Sequence, residues 1–174
     1  MTGSRRCSLC KHVANKQELL DLVVDRGAAE LQPPDASDPW PDRLRHIANE
    51  WRRLALAHPH VFPLLATGPP PSPPSLVPII EGTLGALREV VTDYAEAATY
   101  FWTFLAFTTG ALLAECAATT GRGSPPLSAA AAVDQEVFPH RAALGSALAM
   151  TDFAVDYERG IEIFIASASS ARDS

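Results

Sequence analysis

The chain has 174 residues, 47% of them hydrophobic, three cysteines and a net charge of −6. That is enough chain for one globular domain with its own core, or for a small domain joined to a larger one, and too few cysteines for a disulfide-stapled scaffold. The acidic balance excludes a uniformly basic surface, yet Arg5, Arg6, Lys11 and Lys16 give the first sixteen residues four cations and no acid. A polyanion would therefore have to meet that end.

The arginines near the start are followed by no apolar run, so no secretory signal is read, and an odd number of thiols fits a reducing cytoplasm. Cys7 and Cys10 with His12 have the spacing of half a zinc site, but no second Cys/His pair follows, and Cys116 falls in an apolar segment. Two incidental thiols are the simpler reading, and no metal or other cofactor is assigned.

In chain order, Asn15 and Glu18 form a capping box, and Leu20, Val23, Val24 and Leu31 carry a helical face to about residue 31, weakened at Gly27. QPPDASDPWP breaks the chain, with Asp38 as the next N-cap and Pro39 at the first helical position. Trp40, Leu44, Ile47, Ala48, Trp51, Leu54 and Ala55 then recur at spacings of three and four. Arg43, Arg45, Arg52 and Arg53 are read as solvating the opposite face of that helix. His58-Pro-His60 marks its end, a short helix follows in VFPLLAT, and GPPPSPPS is read as a stiff connector that cannot be helical.

Val77, Ile80, Leu84, Leu87 and Val91 restore the helical period. Asp93 and Glu96 repeat the capping-box signature and open a helix to about residue 118. Residues 97–114 within it carry no charge and are long enough to cross a bilayer, but four threonines, flanking Glu96 and Glu115 and no cationic edge favour a buried helix. A helix that is apolar all round must be covered all round, within its own domain or by another chain. After a segment rich in small residues, a short helix follows Pro139. The last helix carries Phe153, Tyr157, Ile161, Phe164, Ile165 and Ala168 on one stripe.

No segment reads as a strand, so the chain is all-α. The last helix and the long apolar one are rich in aromatics, and pairing both with a second copy in a four-helix bundle is the favoured way to cover them. Phe153, Tyr157, Ile161, Phe164 and Ile165 are the candidate contacts.

The stretch SLCKHVANKQELLDLV resembles the end of the helix-turn-helix of tetracycline-repressor-type (TetR) bacterial regulators, through Leu9, His12, Val13, Asn15, Lys16, Leu19 and Leu20. Downstream, WPDRLRHIANEWRRLALAHPHVFPLLATGPP and FAVDYERGIEIFIAS are similar to helices of the branch with a tetracycline-repressor-like C-terminal domain. The resemblance implies a homodimeric transcriptional regulator whose C-terminal domain holds a small effector and whose N-terminal heads bind operator DNA. By position, Lys11, His12 and Lys16 would face phosphate or groove, while Cys10 stands where the family usually has a tyrosine. The family places two helices before this point, where the sequence has MTGSRRC. Residues 1–33 are accordingly read as a remnant head with its connecting helix, residues 34–174 as the ligand-binding and dimerisation domain, and weak or absent DNA binding is expected. A headless effector-binding module is the alternative.

The implied pocket would be lined by Ile47, Trp51, Phe62, Leu84, Tyr100, Phe104 and Phe107, an apolar and aromatic set suited to a hydrophobic or polycyclic compound. Tetracycline itself is not expected, because Ile47, Ala106 and Ala114 fall where the namesake carries an amide and the groups serving its magnesium. The five histidines stand beside no nucleophile at a recognisable spacing, and no phosphate loop is present, so no enzyme is read and no membrane partner is assigned.

Overall fold

The computed structural model describes residues 15–68, 72–122, 134, 136–149 and 152–171. Among these the regular elements are helical: α1 (Lys16–Ala28), α2 (Trp40–Ala57), α3 (Phe62–Thr67), α4 (Val77–Arg88), α5 (Tyr94–Thr119), α6 (Pro139–Ala149) and α7 (Phe153–Ala171). Both predicted N-caps close: the Asn15 side chain accepts from the Glu18 amide at 2.9 Å and that of Asp93 from the Glu96 amide at 2.9 Å. Each removes one of the unpaired donors at a helix start.

Two boundaries differ from the sequence reading. Helix α2 has Pro39 itself as N-cap, with no side-chain hydrogen bond, and begins at Trp40. The proline-rich connector ends in a 3-10 turn, Pro74–Leu76, so its last residues are helical after all. Proline is compatible with the first turn of a helix, and Leu76 is buried beneath this one.

The predicted stripe of α2 is buried in full, and α2 packs against α4, α5 and α7. Its arginines do not all solvate the far face. Arg53 is exposed and Arg45 half-buried, whereas Arg43 is buried and Arg52 forms a bidentate pair with the buried Glu115 of α5 at 2.7 and 3.1 Å. A helix covered on several sides has a narrower wet face than an edge helix, so charges flanking the stripe are buried with it. Helix α4 is also turned from the expected register: Ile79, Thr83, Ala86 and Leu87 are buried, while Val77 is exposed and Ile80 and Leu84 are half-buried.

Helix α1 is held at one end. Gly27, expected to weaken its middle, lies in the buried last turn instead, beside Ala28. The segment behind it is clamped to α2: Arg53 donates to the Glu30 carbonyl at 2.7 Å, the Gln32 amide donates to Glu50 at 2.9 Å, and His46 lies 3.0 Å from the Gln32 carbonyl. His58 reaches the Glu30 carboxylate at 2.9 Å. The N-terminal half of α1 is open, with Lys16, Gln17, Glu18, Asp21 and Leu22 exposed.

Candidate effector site and partner face

The interior between α2, α4, α5 and α7 is built from interlocked rings. Trp51 meets Phe62 edge-on at 5.8 Å, Phe164 meets Tyr100 at 5.9 Å and Phe104 at 5.2 Å, and Phe107 stacks on Tyr157 at 6.0 Å. Offset and edge-on arrangements suit the ring quadrupole and contribute beyond area burial. Six of the seven predicted pocket residues thus enter one apolar cluster: Ile47, Trp51, Phe62 and Phe104 are buried, and Tyr100 and Phe107 pack against them half-buried. Leu84, half-buried on the rotated α4, stands outside that cluster.

The buried hydroxyl and thiol groups inside the cluster are satisfied locally. Thr83 and Thr108 return their hydroxyls to the carbonyls of Ile79 and Phe104 at 2.7 and 2.9 Å. Tyr157 donates to the Ala48 carbonyl at 2.9 Å, and burial pushes its phenol far above the ordinary tyrosine range. Burial likewise raises the Cys116 thiol, which lies 3.5 Å from the Ala55 carbonyl. Among the described residues no three His, Cys, Asp or Glu side chains are placed to hold a metal ion. Of the three positions weighed for tetracycline, Ile47 is in the core while Ala106 and Ala114 are exposed on α5.

Two hollows open at the surface. A cleft of about 380 Å³ runs between α1 and the α2–α3 corner, bordered by Leu22, Val23, Gly27 and Val61 with Arg26 and Glu30 at its rim. A groove of about 240 Å³ separates α2 from α7, between the Arg45–Glu162 pair and Tyr157. None of the seven predicted pocket residues borders either.

The stripe of α7 expected to meet a partner faces its own chain instead. Tyr157, Ile161, Phe164 and Ile165 are buried against α2 and α5, and Phe153 is half-buried. Periodicity reports that a face is covered, not which chain covers it. On the other sides of the same two helices apolar side chains stand open: Trp102 is 64% exposed, Ile163 64%, Val155 55% and Tyr94 78%. Helix α5 is long and apolar enough to cross a membrane by composition, yet only 28% of that window is buried. Its outer positions include Ala98, Ala106, Gly110, Ala114 and Ala118. Lys16, the one described residue of the three predicted DNA contacts, is exposed at the first turn of α1; Lys11 and His12 lie outside the described residues.

The fold has counterparts among known proteins. Residues 32–168 match the family described as tetracyclin repressor-like, C-terminal domain. A possible TetR family transcriptional regulator from Streptomyces coelicolor A3(2) is 30% identical, with a TM-score of 0.75 over 95% of this chain and 83% of that one. The Streptomyces coelicolor TetR family protein ActR is similar in two complexes. With actinorhodin it is 25% identical (TM-score 0.77, covering 96% of this chain and 82% of that one). With (S)-DNPA it is 26% identical (TM-score 0.74, covering 95% and 81%). No curated protein sequence matches the chain. With its helix order, its capped α1 and α5 and four-fifths of its length inside the matched domain, the chain belongs to the TetR family of transcriptional regulators.

Proposed function

We propose that this regulator is a homodimeric repressor that senses a hydrophobic, polycyclic effector in the interior between α2, α4 and α5. The observation that carries the reading is the aromatic cluster itself. It gathers Trp51, Phe62, Phe104 and Phe164 in one apolar interior, with Tyr100 and Phe107 half-buried at its margin. The ActR complexes with actinorhodin and (S)-DNPA support this, since a relative of the same fold is recorded with small molecules. Effector binding shifts a population only if the state with α1 displaced binds it more tightly than the DNA-competent state.

Dimerisation is assigned to the open faces of α5 and α7 around Trp102, Val155 and Ile163 rather than to the stripe packed inward. Covering them answers the apolar surface of α5 without a membrane, and fits a soluble cytoplasmic protein. DNA contact is assigned to the basic N-terminal stretch that carries Lys11, His12 and Lys16 in its sequence; Lys16 stands at a helix start, where the positive end of the dipole favours a phosphate. No catalytic role is assigned.

Light scattering tests the assembly and differential scanning fluorimetry the sensing. The expected result is a dimer that Trp102→Glu converts to a folded monomer. A neutral polycyclic arene held at one hundred times its Kd should add about 2.7 kcal/mol to stability. A monomeric wild type overturns the interface, and no thermal shift with neutral arenes overturns the site.

A further inference from the structure

The four arginines of α2 are matched unequally. Arg52 gives Nε and Nη2 to the two oxygens of Glu115 at 3.1 and 2.7 Å, and Arg45 gives the same edge to Glu162 at 2.6 and 2.8 Å. Arg53 pairs likewise with Glu50 at 2.9 and 2.8 Å. Arg43 departs from this pattern although it is the most buried, at 5% exposure. Its Nη2 meets a single oxygen of Glu89, while its Nε is buried without an acceptor, the one such side-chain atom among the described residues. Glu89 sits just past the end of α4 with half its side chain in water.

The position of this guanidinium gives the unmatched donor a meaning. Arg43 lies one helical turn before Ile47, on the side of α2 that meets α4, where a Cβ at Gly85 would stand 3.8 Å from Nη1. A buried ionised donor without an acceptor is costly, and the planar Nε/Nη2 edge is shaped for two oxygens of one carboxylate. Glu89 fills half of that edge from the half-exposed side, and releasing it leaves the buried guanidinium uncompensated unless another carboxylate takes its place.

We propose that Arg43 selects effectors that carry an ionised carboxylate: the acid takes the Nε/Nη2 edge of Arg43 and Glu89 turns out to solvent. The proposal rests on the interior effector site argued above. It makes the ligand an amphiphile, with apolar rings among Trp51, Phe104 and Phe107 and one acidic end at the α2–α4 contact. The net charge of −6 works against anion binding in general, so a preference for an acid must come from a local cation.

The test compares pyrenecarboxylate with its neutral amide, pyrenecarboxamide, by pyrene fluorescence on the full chain. The acid should bind at least about tenfold more tightly than the amide, the range of a charge-assisted bidentate contact. Arg43→Gln should erase that preference. Glu89→Gln, on the surface, should increase acid affinity by removing the competing carboxylate. Equal binding of acid and amide by the wild type overturns the proposal while the apolar site stands, and so does a preference that survives Arg43→Gln. Binding of neither compound removes the site and the proposal together. Should Arg43→Gln fail to fold by circular dichroism, the wild-type comparison and Glu89→Gln still decide.

Discussion

Replacing Gly160 by alanine sets two physical effects against each other. Gly160 lies within α7, where alanine is the better helix former by about 1 kcal/mol. By propensity alone, Gly160→Ala should stabilise the protein. The packing says otherwise, because the ring of Phe107 on α5 occupies the notch the glycine leaves. A Cβ there would stand 2.6 and 2.8 Å from the two Cε atoms of that ring, and closer still to Cζ. Three ring atoms in overlap place the strain in the upper part of the ~1–3 kcal/mol range for overpacking. After subtracting the propensity gain, a net loss of about 1–2 kcal/mol remains, or roughly 2–8 °C in Tm for a chain of this size. Thermal unfolding at fixed protein concentration measures it, with Phe107→Leu as partner in a double-mutant cycle. The shorter side chain should relieve most of the penalty, giving a favourable coupling of about 1 kcal/mol or more. An unchanged or higher Tm for Gly160→Ala would refute the idea that α5 and α7 dock through this notch.

Three further outcomes follow from the same contacts. Glu115→Ala should cost about 2–4 kcal/mol by chemical denaturation, because it strands Arg52 in a partly buried position, whereas Glu162→Ala, which breaks an exposed pair with Arg45, should cost less than about 1 kcal/mol. Tyr157→Phe should lose about 1 kcal/mol at neutral pH through the bond to the Ala48 carbonyl. Burial raises the folded phenol above its unfolded value of about 10, so its contribution is intact below that pH and lost as pH rises further. Urea midpoints taken above pH 10 should therefore fall less steeply in the phenylalanine variant. On the acid side, the hydrogen bond from Arg53 holds the Glu50 carboxyl below the usual glutamate range. Its stabilisation is present above about pH 4.3 and disappears as pH drops through the folded value. Glu50→Gln should flatten the pH dependence of Tm in that window, and an unchanged acid limb would show that the α1–α2 clamp contributes nothing there.

Much of this architecture was legible in the residues. Asn15 with Glu18 and Asp93 with Glu96 mark two helix starts, and both side chains do close onto the amides three residues on. The α2 stripe is buried as read because a single strong period leaves one solution. Where the reading stopped, the reason is that one-dimensional patterns carry no identity of the neighbour. The Tyr157–Ile165 stripe announces a covered face and cannot say that α5 of the same chain covers it. Helix α5 is apolar around its whole circumference, so no periodicity divides its inner side, with Phe104 and Leu112, from its outer side, with Trp102. On α4 the apolar spacing through Ile80 and Leu84 pointed to one face, and packing against α2 and α5 instead placed Ile79 and Thr83 inside. The burial of Arg43 and the Arg52–Glu115 pair was invisible for another reason: an arginine beside an apolar stripe reads as surface until a second helix arrives to cover it.

The one-ended attachment of α1 has a mechanical consequence. Its 13 residues make a rod about 20 Å long at 1.5 Å per residue. The bonds from Arg53, Glu50, His46 and His58 pin the chain at residues 30–32, and the buried last turn sits beside that pin. Tilting such a rod by about 10° moves its free end, at Asn15, by roughly 3 Å, while the pinned end hardly moves. A rearrangement of side chains in the core too small to alter the packing of α2 is thus multiplied along α1. The displacement is delivered to whatever the N-terminal end carries.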